Sequence, residues 1–272
     1  LLSVILLGLV LAGPSLALAV SYDFTTISVP GASYTVAQGI NQAGQVVGYT
    51  NVQGFFWNGS LTAFDFPGAD ATGAYGINVA GEIVGSFDSG IVTQGFFTDT
   101  LVSFSPIVVP GASYTVPQGN NDAGQVVGFI GDFAGGVHGF LQNTDGSSIW
   151  IDFPGALFSD AYGINNFGQI VGGFDDATMV THGYFLDANG SFTPIDVPGA
   201  IFTQPRGIND AGQIVGRFRD AAGVMHGFLL DTDGSFITID VPDTSSTGIR
   251  GINNLGQIVG DFDGGGFIGT PN

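Results

Sequence analysis

The chain has 272 residues, no cysteine and a formal net charge of −19, with Lys and Arg together numbering only 4. The missing cysteine excludes a disulfide framework and any thiolate metal site, and so acidic a balance excludes nucleic acid and anionic lipid, which repel an acidic surface. Glycine at 46 copies and phenylalanine at 24 suit short strands and tight turns better than helices, and 44% apolar residues suffice for one large all-β core.

In chain order the first feature is an apolar stretch. Leu1 to Val10 is nearly all apolar, Gly13-Pro14 breaks the run, and Ala17-Leu18-Ala19 is a small-x-small site. Residues 1–19 read as the core and cleavage site of a secretory signal peptide. The mature chain is expected to be secreted and extracellular, with the periplasm or the cell surface as other destinations. A start methionine and basic leader are missing ahead of Leu1, so this end reads as truncated. A membrane anchor is the competing reading, but Gly13, Pro14 and Ser15 cut the run short of the ~20 apolar residues a span needs. No later segment reads as membrane-spanning.

From residue 20 to residue 272 one unit recurs. The string G-I-N-x-x-G-x-I/V-V-G begins at Gly39, Gly76, Gly163, Gly207 and Gly251, and a sixth copy at Gly119 has Asn120 in place of isoleucine. Successive copies start 37, 43, 44, 44 and 44 residues apart. The fifth unit reads as four strands. The first ends in Gly207-Ile208-Asn209, and Asn209-Asp210-Ala211-Gly212 turns the chain. Gln213–Phe218, His226–Leu230 and Phe236–Asp240 follow. Hairpin-sized links predict an antiparallel meander within each unit. Longer links between units open on Pro67-Gly68, Pro110-Gly111, Pro154-Gly155 and Pro198-Gly199, where proline presets φ and glycine takes the second corner. Four-stranded sheets of about 44 residues joined by one crossing loop are propeller blades.

The two ends complement each other. Phe24–Val29 reads as a fourth strand with no unit before it, and the last unit stops after a third strand at Gly266-Phe267-Ile268-Gly269. Pairing them completes the sixth blade and removes an open edge. The expected fold is therefore an all-β, six-bladed propeller of four-stranded antiparallel blades, closed by the N-terminal strand. A solenoid of stacked hairpins is the alternative, but it needs no matching ends.

The G-I-N-x-x-G-Q-I-V-G string, with His-Gly-Phe or His-Gly-Tyr at His138, His182 and His226, resembles the bacterial extracellular HAF repeats. That resemblance implies an exported repeat protein, often from bacteria that use a C-terminal PEP-CTERM sorting tail, and no established reaction. Thr270-Pro271-Asn272 does not read as such a tail.

Candidate chemistry is sparse. The residue before each G-I-N glycine varies while its surroundings repeat: Gln38, Tyr75, Gln118, Tyr162, Arg206 and Arg250. The crossing loop leads into this strand, so it should border the central channel. Two arginines in adjacent blades of so acidic a chain either fix an anion there or neutralise acidic neighbours. Loops between second and third strands carry Asp88, Asp132, Asp175, Asp176, Asp220, Asp261 and Asp263, on the face shared with the Pro-Gly crossings. Five of these, Asp88, Asp132, Asp176, Asp220 and Asp263, are the candidate ligands for calcium, the one cofactor an all-oxygen set suits; a solvated acidic rim is the plainer reading. The three histidines fall one blade apart, too far to share one metal, and are expected to bond the adjacent loop. Asp187-Ala188-Asn189-Gly190 and Asp231-Thr232-Asp233-Gly234 suit hairpin turns, without the glutamate an EF-hand needs. Asn58 and Asn189 match glycosylation acceptors at turns.

No nucleophile motif or phosphate-binding glycine loop is present. The closely matching repeats favour a non-enzymatic, monomeric module that binds an extracellular polysaccharide, a cell surface or a protein partner. The alternatives are a calcium-assisted hydrolase or lyase acting on glycans or lactones, and a purely structural matrix component.

Overall fold

The computed structural model describes residues 21–99 and 101–272, and the expected signal segment, residues 1–19, lies outside them. Among the described residues, 24 strands form six four-stranded antiparallel sheets. Five sheets are consecutive meanders. The sixth takes Thr247–Ile252, Ile258–Phe262 and Gly265–Pro271 from the C-terminal end and Tyr22–Ile27 from the N-terminal end. Tyr22 faces Pro271 and Ile27 faces Gly266, so the ring closes as its ends predict and the solenoid is excluded. The closing strand stops at Ile27, short of Val29, because Val29-Pro30 already begins the crossing turn, where the Ala32 N–H bonds the Val29 carbonyl (3.2 Å). No helix among the described residues is long and apolar enough to cross a membrane.

Each blade buries one aromatic ring over one glycine. The last glycine of every G-I-N string faces a third-strand ring: Gly48 and Phe55, Gly85 and Phe96, Gly128 and Phe140, Gly172 and Tyr184, Gly216 and Phe228, Gly260 and Phe267. All six rings are fully buried. A Cβ on Gly48 would sit 2.7 Å from the Phe55 ring, so the glycine is what admits it. Burying each ring contributes about 2–3 kcal/mol. The core is thus six interblade clusters. In one, Ile27, Val29 and Ile268 of the closing blade pack on Ala37, Ile40, Val46 and Phe55 of the first.

Polar side chains lock the crossings and the turns. A buried Thr or Ser on the inner strand accepts the N–H of the residue six positions earlier, as Thr203 does from Val197 (3.1 Å) and Thr247 from Val241 (3.0 Å). Turn asparagines Asn41, Asn78, Asn121, Asn165, Asn209 and Asn253 each donate Nδ2 to the turn carbonyl of the next blade, at 3.0 to 3.3 Å. The last of these bonds runs from Asn253 to the Asn41 carbonyl, so the belt is a closed circle. This is why asparagine recurs at all six positions: Oδ1 caps its own turn, and Nδ2 reaches the neighbour.

Candidate functional site: the central channel

Six β-bulges build the channel lining. In every blade the pairing of the inner and second strands slips by one residue, between Ala37 and Gly39, Ala74 and Gly76, Pro117 and Gly119, Ala161 and Gly163, Pro205 and Gly207, and Ile249 and Gly251. The residues skipped are Gln38, Tyr75, Gln118, Tyr162, Arg206 and Arg250. A bulged residue has no cross-strand partner, and the local bend re-aims its side chain. All six border one cavity of about 80 Å³ on the axis, the volume of two or three waters. The glycine after each bulge lets the blades converge: a Cβ on Gly163 would lie 2.8 Å from the Arg206 carbonyl, and one on Gly251 2.9 Å from the Gln38 carbonyl. Below this cavity Ile40, Ile77, Ile164, Ile208 and Ile252, with Asn120, form a throat shared with a second small cavity at the asparagine belt.

The cationic residues concentrate here. Arg206 donates from Nε and Nη2 to Gln204 Oε1 (3.1 and 2.7 Å), and Arg217 donates from Nε to the same oxygen (2.9 Å). Gln204 in turn donates Nε2 to the Tyr162 hydroxyl (2.8 Å), which donates to Asp160 Oδ2 (2.8 Å). The Arg206 guanidinium lies over the Tyr162 ring, 3.9 Å from its centroid. Arg250 bonds Asp261 Oδ1 through Nε (2.7 Å). Of the two readings open for the arginines, neutralisation of an acidic neighbour therefore describes Arg250. Arg206 and Arg217 have no carboxylate within ion-pair distance among the described residues; they share one neutral amide oxygen.

Burial lowers the Arg206 and Arg217 pKa values, Arg217 to about 9. Burial raises the Asp160 carboxyl, against the opposing Tyr162 hydrogen bond and the Arg206 charge. Burial also raises the phenols of Tyr75 and Tyr162, which remain protonated donors. Three guanidiniums face only two carboxyl groups here, those of Asp160 and Asp261, inside a chain of net charge −19. Gln38, only 8% exposed, presents an Oε1 with no hydrogen-bond partner, and Gln38 borders the same cavity.

The aspartates lie elsewhere, one blade after another on the crossing face. Asp132 Oδ1 accepts the N–H groups of Ala134 and Gly136, Asp176 those of Thr178 and Val180, and Asp220 those of Ala222 and Val224. Asp88 accepts the Gly90 N–H, and Asp263 ties Ser245. These bonds hold Asp132, Asp176, Asp220 and Asp263 below the usual carboxylate range, Asp176 at about 2 through Thr178 above all. Asp88, Asp132, Asp176 and Asp220 each serve their own loop and Asp263 the crossing loop before its blade, and among the described residues no three His, Cys, Asp or Glu side chains converge as a metal-ligand set. His138, His182 and His226 each bond an aspartate before the crossing through Nδ1 (Asp152, Asp196 and Asp240, at 2.8, 3.0 and 2.8 Å), with Nε2 facing Asp132, Asp176 and Asp220.

Two further columns of the repeat flank the bulge residues and escaped the sequence reading, which expected Asp261 in a crossing-face loop and not, as here, in the strand Ile258–Phe262. One is the residue after I/V-V-G: Tyr49, Ser86, Phe129, Gly173, Arg217 and Asp261. The other lies two before the bulge: Val36, Gly73, Val116, Asp160, Gln204 and Gly248. They are cross-strand partners, Val36 with Tyr49 and Gln204 with Arg217, for example. Both vary from copy to copy, the same signal that singled out the bulge residues.

Fold and site define a six-bladed β-propeller with Arg206 and Arg250 bordering its axial cavity. No family model and no curated protein matches the sequence. Solved structures do share the fold. A virginiamycin B lyase from Staphylococcus aureus is similar with a TM-score of 0.57 and 12% identity, over 92% of this chain and 99% of that one. A gluconolactonase from Xanthomonas campestris gives 0.60 and 9%, over 92% and 90%. The SapL1 lectin, in complex with α-methyl fucoside, gives 0.56 and 10%, over 86% and 90%. At such identities the likeness is one of fold, and that fold carries catalytic and sugar-binding members alike.

Proposed function

We propose that this chain is an exported binding propeller that holds the carboxylate of a small organic acid, of the kind found in extracellular polysaccharides, on the channel arginines. Export rests on the signal-like segment and on the resemblance of the repeats to HAF repeats. One observation carries the binding reading. Two of only 4 cationic residues, Arg206, which borders the axial cavity, and Arg217, which shares its Gln204 oxygen, have no carboxylate partner among the described residues. Their remaining N–H donors suit an oxyanion, and the excess of guanidiniums over carboxyl groups suits an anion. Calorimetry with D-glucuronate and D-glucose tests this. Charge-assisted bonds of about 1.5–3 kcal/mol predict binding of the acid about 10- to 100-fold tighter than of the neutral sugar. Arg206→Gln should remove that preference. Equal affinity for acid and neutral sugar would refute it.

A second reading, an enzyme acting on glycans or lactones, draws on Asp160. Its carboxyl is held above the usual range by burial, one hydrogen bond from Tyr162, and Arg206 lies beside that tyrosine. Turnover on a lactone and polysaccharide panel that disappears in Asp160→Asn would favour it over simple binding.

A further inference from the structure

Blades one and two are separated on the crossing face by a cleft of about 280 Å³. Its walls include Tyr34, Tyr49 and Tyr75, with Asn51, Ser86 and Asp88 as polar neighbours. Tyr75 borders both the cleft and the axial cavity, so the two are neighbours. The rings form an edge-to-face series, Tyr34 to Tyr49 at 6.3 Å and 83°, and Tyr49 to Tyr75 at 5.7 Å and 73°.

The cleft arises by subtraction. Four blades carry an aromatic residue at the start of the inner strand: Tyr34, Tyr114, Phe158 and Phe202. Blade two has Ala71 there, then Gly73 and, opposite it, Ser86. These small side chains leave the space that bulkier ones would fill, and blade one supplies tyrosines facing it. Tyr75 keeps its place through a 3.2 Å bond to Ser86 Oγ. Tyr75, in the wall of the cleft, also borders the axial cavity together with Arg206 and Arg250, which sets the inner end of the cleft next to that cavity.

A wall of tyrosine rings with hydroxyl, amide and carboxylate groups around it matches the apolar faces and hydroxyl edges of a pyranose ring. Asp88 accepts hydroxyl donors and repels a second carboxylate, so the rings it meets should be neutral. We infer that the cleft is a saccharide subsite: the ligand is a short oligosaccharide of neutral sugars carrying one carboxylate, the acid on the channel arginines and the neutral rings against Tyr34 and Tyr49. This inference rests on the channel reading above and adds the class of molecule bearing the acid.

Calorimetry on the full chain would compare three probes: glucuronate, glucuronate linked to one neutral pentose, and glucuronate linked to two. Each added ring that reaches the cleft is expected to tighten binding, by about tenfold overall. Tyr34→Ala, at a residue already 38% exposed, should erase that gain while leaving glucuronate affinity unchanged, and Tyr34→Phe should retain it. If glucuronate binds but the longer probes bind no tighter, or if the gain survives Tyr34→Ala, the cleft is not a sugar subsite and the channel reading stands. If no probe binds, both fall.

Discussion

Replacing one asparagine of the closed belt should cost more than any other single polar change outside the channel. Asn165 is 3% exposed and makes four hydrogen bonds. Nδ2 donates to Gln169 Oε1 (2.8 Å) and to the Asn209 carbonyl (3.2 Å), and Oδ1 accepts from the N–H groups of Phe167 (3.1 Å) and Gln169 (3.0 Å). At about 0.5–1.5 kcal/mol net per bond, with the exposed Phe167 turn at the low end, Asn165→Ala should destabilise by about 2–4 kcal/mol. In a domain of this size that is a fall of roughly 4–16 °C in Tm. Urea unfolding and calorimetry would measure it. Asn165→Asp should cost at least as much, since it keeps both acceptor bonds but sets a carboxylate oxygen against the Asn209 carbonyl. The environment repeats around the ring, so Asn253→Ala, at the joint between the chain ends, should match Asn165→Ala within about 0.5 kcal/mol. A loss below about 1 kcal/mol at either position would mean that water replaces the belt bonds and that packing alone holds the blades in register.

Four other outcomes follow from the geometry. Gly163→Ala places a methyl 2.8 Å from the Arg206 carbonyl between adjacent inner strands, so overpacking should cost about 1–3 kcal/mol in urea unfolding. Deleting Tyr22–Ile27 bares the edge of Gly265–Pro271 and removes Ile27 from its cluster; size-exclusion chromatography should then show aggregated or dimeric protein, and a stable monomer would argue against strand closure. Burial lowers the His226 pKa, but the bonds to Asp240 and Asp220 outweigh it and raise the pKa above 6.5. That stabilisation is complete below the unfolded value and is lost as pH rises through the folded one, so the decline in stability above neutral pH should shrink in His226→Gln; an NMR titration midpoint at or below 6.5 would refute this. Asp176, depressed to about 2, stabilises its loop above its ordinary 3.8 and loses that contribution as pH falls toward 2; Thr178→Ala should move its NMR titration upward.

The architecture was legible because its signals are redundant. Any one G-I-N copy gives only a turn between two strands, but six copies at a nearly constant spacing require a repeated blade. Phe24 and Phe267 together give closure, since each lies in a strand whose neighbour is missing from its own end of the chain. The glycines were legible as punctuation and not as packing. Gly48 and Gly163 sit inside strands, and only the coordinates show that one admits the Phe55 ring and the other the neighbouring backbone.

The channel was half legible, and the bulge explains which half. Variation against a constant background marked Gln38 through Arg250, because the bulge frees those side chains from pairing and so from a structural requirement. Their neighbours were hidden by register. Counting back from the Asn209 turn with regular pairing puts Arg206 opposite Gly216 and Pro205 opposite Arg217. The bulge shifts this by one residue, so that Pro205 faces Gly216 and Gln204 faces Arg217. Gln204, which organises both guanidiniums and hands a hydrogen bond on to Tyr162, thereby falls out of any period-two reading of the strand. The same offset pairs Asp160 with Gly173 and Gly248 with Asp261, leaving beside each carboxylate a glycine with no side chain to crowd it. Charge reaches this channel through pairs of columns coupled by a bulge, so the columns that matter in such a repeat are the variable ones brought face to face once the slip of one residue is allowed for.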